Sequence, residues 1–242
     1  QSEFEHASNQ SIRSMTTDLD RPVAMHFARV LEHVDAARIR ERRFRIGLDA
    51  VNGAGSLVSQ RFLRNELGCD LEAIAVDPTK PFPRPAEPTP EVLGEIAGIV
   101  RDRHCDGGFA QDPDGDRLAI IDDTGRVLDN DDVLALAVDA VLARLPGDVV
   151  VNLTTSAVID DIARAHGRRV YRTPVGEANV VERMRAMKAV IGGEGSNGGI
   201  IFPAVQYCRD SYTGMAFVLD RLAATDQPLS ALAGRLPRYH RR

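Results

Sequence analysis

The stretch GGFAQDPDGDRLAIID, residues 107–122, places Asp112, Asp114 and Asp116 between two apolar segments. The flanking segments GGFAQ and RLAIID are typical of short buried strands, because each is a short apolar run bounded by turn residues. The intervening DPDG has the composition of a tight turn. The stretch therefore predicts a strand–turn–strand unit whose turn carries three carboxylates at alternate positions.

Segments of strand and helix character alternate on both sides of this unit, and the series restarts near residue 125. Further strands are predicted at 44–50, 71–77, 148–153, 169–174 and, as a pair joined by a glycine-rich loop, within 189–203. Helices are predicted at 22–35, 57–67, 91–103, 131–145, 156–167, 176–188, 211–224 and 228–236. This alternation predicts two consecutive three-layer α/β domains with mixed, mostly parallel sheets. We expect a lead-in at 1–20 and domains at 21–124 and 125–242, with ligands bound where the domains meet.

Composition excludes several classes of protein. The 242 residues carry a formal net charge of −5, so there is no basic footprint for nucleic acid. No apolar run approaches the roughly 20 residues of a membrane span, and the polar N-terminus lacks the apolar core of a signal peptide. The three cysteines, Cys69, Cys105 and Cys208, lie far apart and show no metal or redox spacing. These features favour a cytoplasmic protein with reduced thiols.

The aspartates at 112, 114 and 116 indicate a site for a hard cation. Carboxylates at alternate positions of a tight turn can converge on one Mg²⁺, which prefers oxygen ligands and is often bound together with substrate phosphates. The alternative is a solvated acidic hairpin turn. An EF-hand is excluded, because Arg117 occupies the position that needs glycine and strands rather than helices flank the loop. Arg117 is suited to bind phosphate through two parallel hydrogen bonds, or to pair with a neighbouring acid.

A phosphatase of the haloacid-dehalogenase type is a second interpretation of the same stretch. In that class a strand also ends in D-x-D, and Asp112 would be the nucleophile. Lys188 and the segment GGEGSN imitate the later motifs of the class. Against it, Asp116 stands where that class usually has threonine or valine.

A second group of candidate residues lies in GGEGSNGG, residues 192–199, between two apolar runs. Its glycines let a ligand approach the backbone closely, and Glu194, Ser196 and Asn197 offer hydrogen-bonding groups to sugar hydroxyls. The alternative is a plain glycine-rich hairpin. RTPVGEAN, residues 172–179, is a strand-to-helix turn whose free N–H groups can hold an anion, although a structural loop is commoner. NGAGS, residues 52–56, lacks the third glycine of a dinucleotide fingerprint and is interpreted as structural.

These segments, in this order, resemble the α-D-phosphohexomutases, the family of phosphoglucomutase, phosphomannomutase and phosphoglucosamine mutase. DPDGDR resembles the family's Mg²⁺ loop, GGEGSNGG its sugar-binding loop and RTPVGEAN the turn ahead of that loop. VNGAGS, AEPTPE (86–91) and the Arg209–Asp210 pair also fit. The resemblance implies an isomerase of carbohydrate metabolism. It implies a metal site at Asp112, Asp114 and Asp116, with Arg117 as the catalytic residue that contacts the phosphate of the phosphoserine. It also implies substrate contacts from Thr173, Gly176, Glu194, Ser196, Asn197 and Arg209.

The resemblance covers only the second and third of the family's four domains. Neither the phosphoserine loop of the N-terminal domain nor the phosphate-binding loop of the C-terminal domain has a counterpart in these 242 residues. A complete member moves phosphate between C1 and C6 of a hexose phosphate through a hexose bisphosphate and an enzyme phosphoserine. We expect this chain, which begins at Gln1, to be a fragment or subunit that is inactive alone and depends on the missing domains. A non-catalytic sugar-phosphate-binding module is the remaining alternative.

Overall fold

The structure, a computed structural model, describes residues 20–239, which form two four-stranded sheets with helices packed on them. The strands are β1 (Arg45–Asp49), β2 (Asp70–Ile74), β3 (Gly107–Gln111), β4 (Leu118–Asp122), β5 (Val149–Asn152), β6 (Val170–Thr173), β7 (Ile191–Glu194) and β8 (Gly199–Ile201). The helices are α1 (Asp20–Leu31), α2 (Ala36–Arg42), α3 (Gly55–Arg61), α4 (Gly94–Asp102), α5 (Asn130–Leu142), α6 (Val158–Ala165), α7 (Glu177–Met187), α8 (Ser211–Thr225) and α9 (Leu229–Gly234). The expected lead-in lies outside the described residues except for Asp20, which begins α1.

The two sheets have the same topology. The first has the order β2-β1-β3-β4 and the second β6-β5-β7-β8. In each sheet the first three strands are parallel, and the last strand returns antiparallel to its neighbour. The predicted class, α/β domains with mixed, mostly parallel sheets, is therefore confirmed. The antiparallel returns are β3–β4 and β7–β8, the two segments that the sequence marks as candidate sites.

Each face of the first sheet packs on a different layer. Phe109 and Ile120 point into a large core shared with the second half of the chain, whereas Ala110 and Ile121 face α4 on the other side. Gly108 allows α4 to approach closely, since a Cβ there would lie 2.7 Å from Val100 Cγ2. The alternation of residues along β3 and β4 thus produces a sheet that is covered on both sides.

Helix α5 lies between the two sheets. Ten of its residues are buried, among them Leu134 and Val138, so it is apolar around most of its circumference. It contacts β4 of the first sheet and β7 of the second. A helix that is apolar all round belongs in an interior, and here it places the ends of β3 and β7 near each other.

Three local features differ from the sequence-based expectation. Helix α2 is not predicted, because its seven residues AARIRER contain one buried side chain, Ile39. The predicted helix 57–67 ends as an α-helix at Arg61 and continues as a π-helical turn over Phe62–Glu66. The segment DTGRV, residues 123–127, has the composition of a turn with a short return strand, but it forms only an isolated bridge between Ile121 and Val127. In the described residues, no helix combines the length and apolar character needed to cross a membrane.

Candidate active site between the two sheets

The DPDG turn lies at the end of β3, where parallel strands of the first sheet present their carboxyl ends. Gly115 closes the turn with φ +77° and donates its N–H to the Asp112 carbonyl over 3.1 Å. The NGAGS turn packs beneath it: Ala54 N donates to Pro113 O over 2.8 Å, and a Cβ at Gly53 would lie 2.4 Å from that oxygen. NGAGS therefore supports the acidic turn from below, which is a structural role.

The three carboxylates converge. Asp112, Asp114 and Asp116 each place one oxygen so that all three oxygens lie within 4.8 Å of one another. Asp116 Oδ1 is buried and has no hydrogen-bond partner. Burial, reinforced by the neighbouring Asp114 and Asp116 charges, raises the pKa of Asp112 to about 6, although a hydrogen bond from Arg117 N opposes this. An all-oxygen donor set with an unpaired oxygen and mutual repulsion fits a hard divalent cation.

Arg117 both orders the turn and borders it. Its backbone N–H donates to Asp112 Oδ1 over 3.1 Å, and its guanidinium Nε lies 3.6 Å from Asp112 Oδ2. The other arm of the guanidinium pairs with Glu87 Oε1 at 2.8 Å, in the proline-rich AEPTPE segment. The guanidinium is thus held beside the acidic turn by a second loop, and it remains partly exposed to solvent.

The glycine-rich loop begins at Glu194, the last residue of β7. It makes a 3₁₀ turn over Gly195–Asn197, and Gly198 then adopts φ +69° before β8 begins. A Cβ at Gly198 would lie 2.3 Å from the carbonyl oxygen of Leu118, the first residue of β4. The loop therefore rests on the first sheet, directly beside the strand that follows the acidic turn.

Glu194 is a buried carboxylate with an uneven set of partners. Its Oε1 accepts hydrogen bonds from Asn152 Nδ2 and Gly176 N, both at 3.0 Å. Its Oε2 has only longer contacts, 3.5 Å from Asn197 Nδ2 and 3.8 Å from the Arg209 guanidinium. One oxygen is thus fixed by the protein, while the other retains capacity to accept a hydrogen bond from a hydroxyl.

The other predicted substrate residues lie around this carboxylate, and they differ in how far their hydrogen-bonding groups are already used within the chain. Ser196 Oγ is 3.2 Å from the Thr154 hydroxyl. The hydroxyl of Thr173, at the end of β6, donates to the Pro174 carbonyl oxygen over 2.9 Å. The sequence suggests that free N–H groups at the start of α7 can hold an external anion, but Gly176 N is already bound to Glu194. At this helix start the N–H group of Gly176 is therefore satisfied by a side chain of the chain itself, as in the structural loop that is the commoner alternative.

Arg209 joins the two candidate groups. Its guanidinium lies 2.7 Å from Asp116 Oδ2 and 2.8 Å from Glu177 Oε2, besides its longer contact with Glu194. Burial alone would lower the pKa of Arg209, but the charges of these three acids outweigh it and raise the pKa. The acidic turn of the first sheet and the glycine-rich loop of the second therefore belong to one continuous polar site.

Sequence reasoning missed three residues of this site: Asn152, Glu177 and Glu87. Asn152 ends β5, and polar residues at carboxyl ends of parallel strands are a signal that points to it. Glu177 is the first residue of α7 within RTPVGEAN, and Glu87 lies in AEPTPE, so both were inside recognised segments. Their partners are distant in sequence, and only the folded chain reveals them.

A buried hydrogen-bond network lies under the acidic turn. The side chain of Gln111, which is 0% exposed, accepts from Ser59 Oγ over 2.6 Å and donates to Ser211 Oγ over 2.7 Å. Ser211 Oγ in turn donates to Gly115 O over 2.5 Å. The turn is therefore attached to the start of α8, which belongs to the second half of the chain.

Lys188 does not take part in the site. It follows the last residue of α7, with φ +51°, whereas Glu177 at the other end of the same helix contacts Arg209. At 1.5 Å per residue the two ends lie about 16 Å apart. The likeness of Lys188 to a phosphatase lysine is therefore confined to the sequence.

Comparison with known proteins assigns both halves of the chain to one family. Models of the phosphoglucomutase/phosphomannomutase family match residues 24–125, as its α/β/α domain II, and residues 129–239, as its α/β/α domain III. A phosphoglucomutase/phosphomannomutase of Thermococcus kodakarensis is 38% identical over 213 residues, which are 87% of this chain and 46% of that protein. A probable phosphoglucosamine mutase of Methanopyrus kandleri is 35% identical over 224 residues, covering 92% of this chain and 48% of the relative.

The fold is also found in a solved structure. The crystal structure of a phosphoglucomutase/phosphomannomutase family protein from Burkholderia thailandensis superposes with a TM-score of 0.78 at 25% identity, covering 90% of this chain and 47% of that one. The chain thus spans about half the length of the relatives that it matches. Matches to both family domains, in order and over most of the sequence, show that this chain belongs to the phosphoglucomutase/phosphomannomutase family.

Proposed function

We propose that this chain is the central part of a phosphohexomutase that interconverts hexose 1-phosphates and hexose 6-phosphates. The observation that carries the proposal is the continuous site in which Arg209 joins the acidic turn at Asp116 to the sugar-loop carboxylate Glu194. A mutase must hold a metal-bound phosphate and a sugar in one place. The reaction would run through a hexose bisphosphate and a phosphoserine supplied by another domain, and we place the two domains of this chain at 21–124 and 125–242.

The residues of the acidic turn and Arg117 would act on the transferring phosphate. Asp112, Asp114 and Asp116 would hold Mg²⁺, which when bound would neutralise negative charge on the transferring phosphate. Arg117, fixed by Glu87 and Asp112, presents cationic N–H groups beside that position. Phosphoryl transfer depends mainly on such positioning and electrostatics.

The sugar would be held from the other side of the site. Oε2 of Glu194 is available to accept from hydroxyl groups, and Asn197 and Ser196 flank it. Gly176, directly before α7, donates to Oε1 of the same carboxylate, and Thr173 is paired with Asn152 at the end of β6. Arg209 completes the set of substrate-binding residues, and its charge suits a phosphorylated ligand. The proposed partners are hexose phosphates, a hexose bisphosphate and the family's N-terminal serine and C-terminal phosphate-binding domains; the proposed location is the cytoplasm.

Binding of glucose 1,6-bisphosphate in the presence of Mg²⁺ tests this function. We expect amide shifts around Gly195 and Asn197 in the NMR spectrum of the labelled chain. Glu194→Gln should weaken binding by roughly tenfold, the scale of one lost hydrogen bond to a charged group. Glu182→Gln, on the exposed face of α7, is the matched control and should bind like the unaltered chain. Equal affinity in all three proteins would contradict the proposed sugar site.

The phosphatase and the inactivity expectation are tested separately. A stable beryllofluoride adduct on Asp112, together with hydrolysis of sugar phosphates, would replace the mutase proposal by the phosphatase. Mutase turnover by the purified chain would refute our expectation that it is inactive without the serine domain.

A further inference from the structure

We propose that Arg209 is a positioning residue that transmits occupancy of the acidic turn to the sugar loop. This inference rests on the proposed function and deepens it by assigning a coupling between two parts of the site. The relevant geometry is that one guanidinium contacts three carboxylates on three separate elements: Asp116 after β3, Glu177 at the start of α7 and Glu194 at the end of β7.

The two oxygens of Asp116 have different surroundings. Oδ2 pairs with Arg209 at 2.7 Å, while Oδ1 is buried without a hydrogen-bond partner. The guanidinium therefore fixes the rotation of the carboxylate and leaves one oxygen for another positive group. A divalent cation arriving at the turn would withdraw negative charge from Asp116 and repel Arg209. The guanidinium would then bind more strongly to its two remaining acids.

Those two acids control the sugar loop. Glu194 begins the loop, and its Oε2 lies 3.8 Å from the guanidinium, so this distance has room to shorten. Glu177 occupies the first turn of α7, whose preceding N–H from Gly176 is bound to the other oxygen of Glu194. A small movement of Arg209 would thus change the position of Glu194 by two routes. One is the direct contact, and the other runs through Glu177 and the start of α7.

The backbone is shaped to let Arg209 reach across. Its stem passes over Gly199, the first residue of β8, where a Cβ would lie 2.5 Å from Arg209 Cδ and 3.0 Å from Cγ. Only a residue without a side chain leaves this path open. A lysine can supply the charge, but it lacks the planar fork that allows several carboxylates to be bound in fixed directions.

The test uses the whole labelled chain and Mg²⁺ alone. In the unaltered chain, we expect amides of 112–117 and of 194–197 to shift together with one dissociation constant. In Arg209→Gln the amides of 112–117 should still respond, whereas shifts at 194–197 should fall to less than a quarter. Arg209→Lys should retain the response at 112–117 and lose at least half of the amplitude at 194–197.

The affinity for Mg²⁺ is not the diagnostic quantity, because removing a positive charge beside Asp116 favours a cation while loss of positioning opposes it. Arg221→Gln is the matched control: it removes the same charge, paired with Asp139 on α5, from helix α8. In Arg221→Gln, Mg²⁺ should shift the amides of 194–197 as much as it does in the unaltered chain.

The outcomes separate the two proposals. If the unaltered chain shows no Mg²⁺ response at 112–117, the metal part of the proposed function fails and this inference fails with it. If 112–117 respond but 194–197 do not, or if Arg209→Gln transmits undiminished shifts, only the coupling role of Arg209 is overturned. A well-dispersed spectrum of Arg209→Lys shows that the lost transmission does not arise from unfolding.

Discussion

Replacing Gln111 by leucine removes the centre of the buried network under the acidic turn. The side chain makes two hydrogen bonds, to Ser59 Oγ at 2.6 Å and to Ser211 Oγ at 2.7 Å, and both serines are buried. Each bond contributes about 1 kcal/mol, and a buried hydroxyl left without a partner costs about 1–3 kcal/mol. Ser59 retains Tyr212 and Ser211 retains Gly115, so we expect a total loss of about 2–4 kcal/mol.

Urea unfolding measures this loss as a lower transition midpoint at an unchanged m-value. For a chain of this size, a loss of about 3 kcal/mol corresponds to a melting temperature lower by about 6–12 °C. Ser211→Ala should lower the unfolding free energy as well. The double variant should lose about 1 kcal/mol less than the sum of the two single losses, because that sum counts the Gln111–Ser211 hydrogen bond twice.

Gln60→Leu provides the control. Gln60 lies on α3 and donates to Ser56 O over 2.9 Å at a partly buried position, so its loss should cost about 0.5 kcal/mol or less. Our reasoning is refuted if Gln111→Leu is as mild as this control, or if the effects of Gln111→Leu and Ser211→Ala simply add.

Three further predictions concern the site and its surroundings. Gly198→Ala should destabilise the chain by about 1–3 kcal/mol in urea, because φ is +69° there and a Cβ would meet Leu118 O at 2.3 Å; stability equal to that of the unaltered chain would contradict the observed packing of the loop. The hydrogen bond to Asp210 raises the pKa of His26 despite its partial burial, so the stability lost in His26→Gln should be largest below pH 6.5 and should shrink as pH rises through the folded pKa; a loss that grows with pH would have the wrong sign. Asp114→Asn should weaken Mg²⁺ binding by at least tenfold in calorimetry with little change in unfolding free energy, since Asp114 is exposed; unchanged affinity would remove it from the metal site.

Much of the fold follows from local sequence patterns. Apolar runs bounded by turn residues locate the eight strands of residues 20–239 within a few residues, although β2 and β6 are only partly buried. Helix α5 is evident from its apolar composition. Helix α2 is not, since a seven-residue charged segment with one buried residue carries no periodic signal. The π-helical turn after Arg61 is also invisible, because nothing in the local sequence distinguishes it from the α-helix that precedes it.

The separate segments of the site can be predicted from the sequence, but the contacts between them cannot. Three aspartates at alternate positions of one tight turn between two strands are close in sequence, so their convergence can be expected from the local pattern. The role of Arg209 depends on contacts with Asp116, Glu177 and Glu194, which are separated from it by up to 93 positions in the sequence. The same reason applies to Gly176: the carboxylate that accepts its N–H belongs to Glu194 on another strand, which local patterns do not reveal.

Paramagnetic broadening by Mn²⁺, used in place of Mg²⁺, tests the central claim that the two loops form one metal-linked site. At substoichiometric Mn²⁺ we expect the strongest loss of amide signal at 112–117, and weaker loss at Arg209 and at 194–197. Excess Mg²⁺ should restore these signals. Broadening centred on the other acidic segment, residues 129–132, or a sugar loop unaffected while 112–117 disappear, would contradict the account.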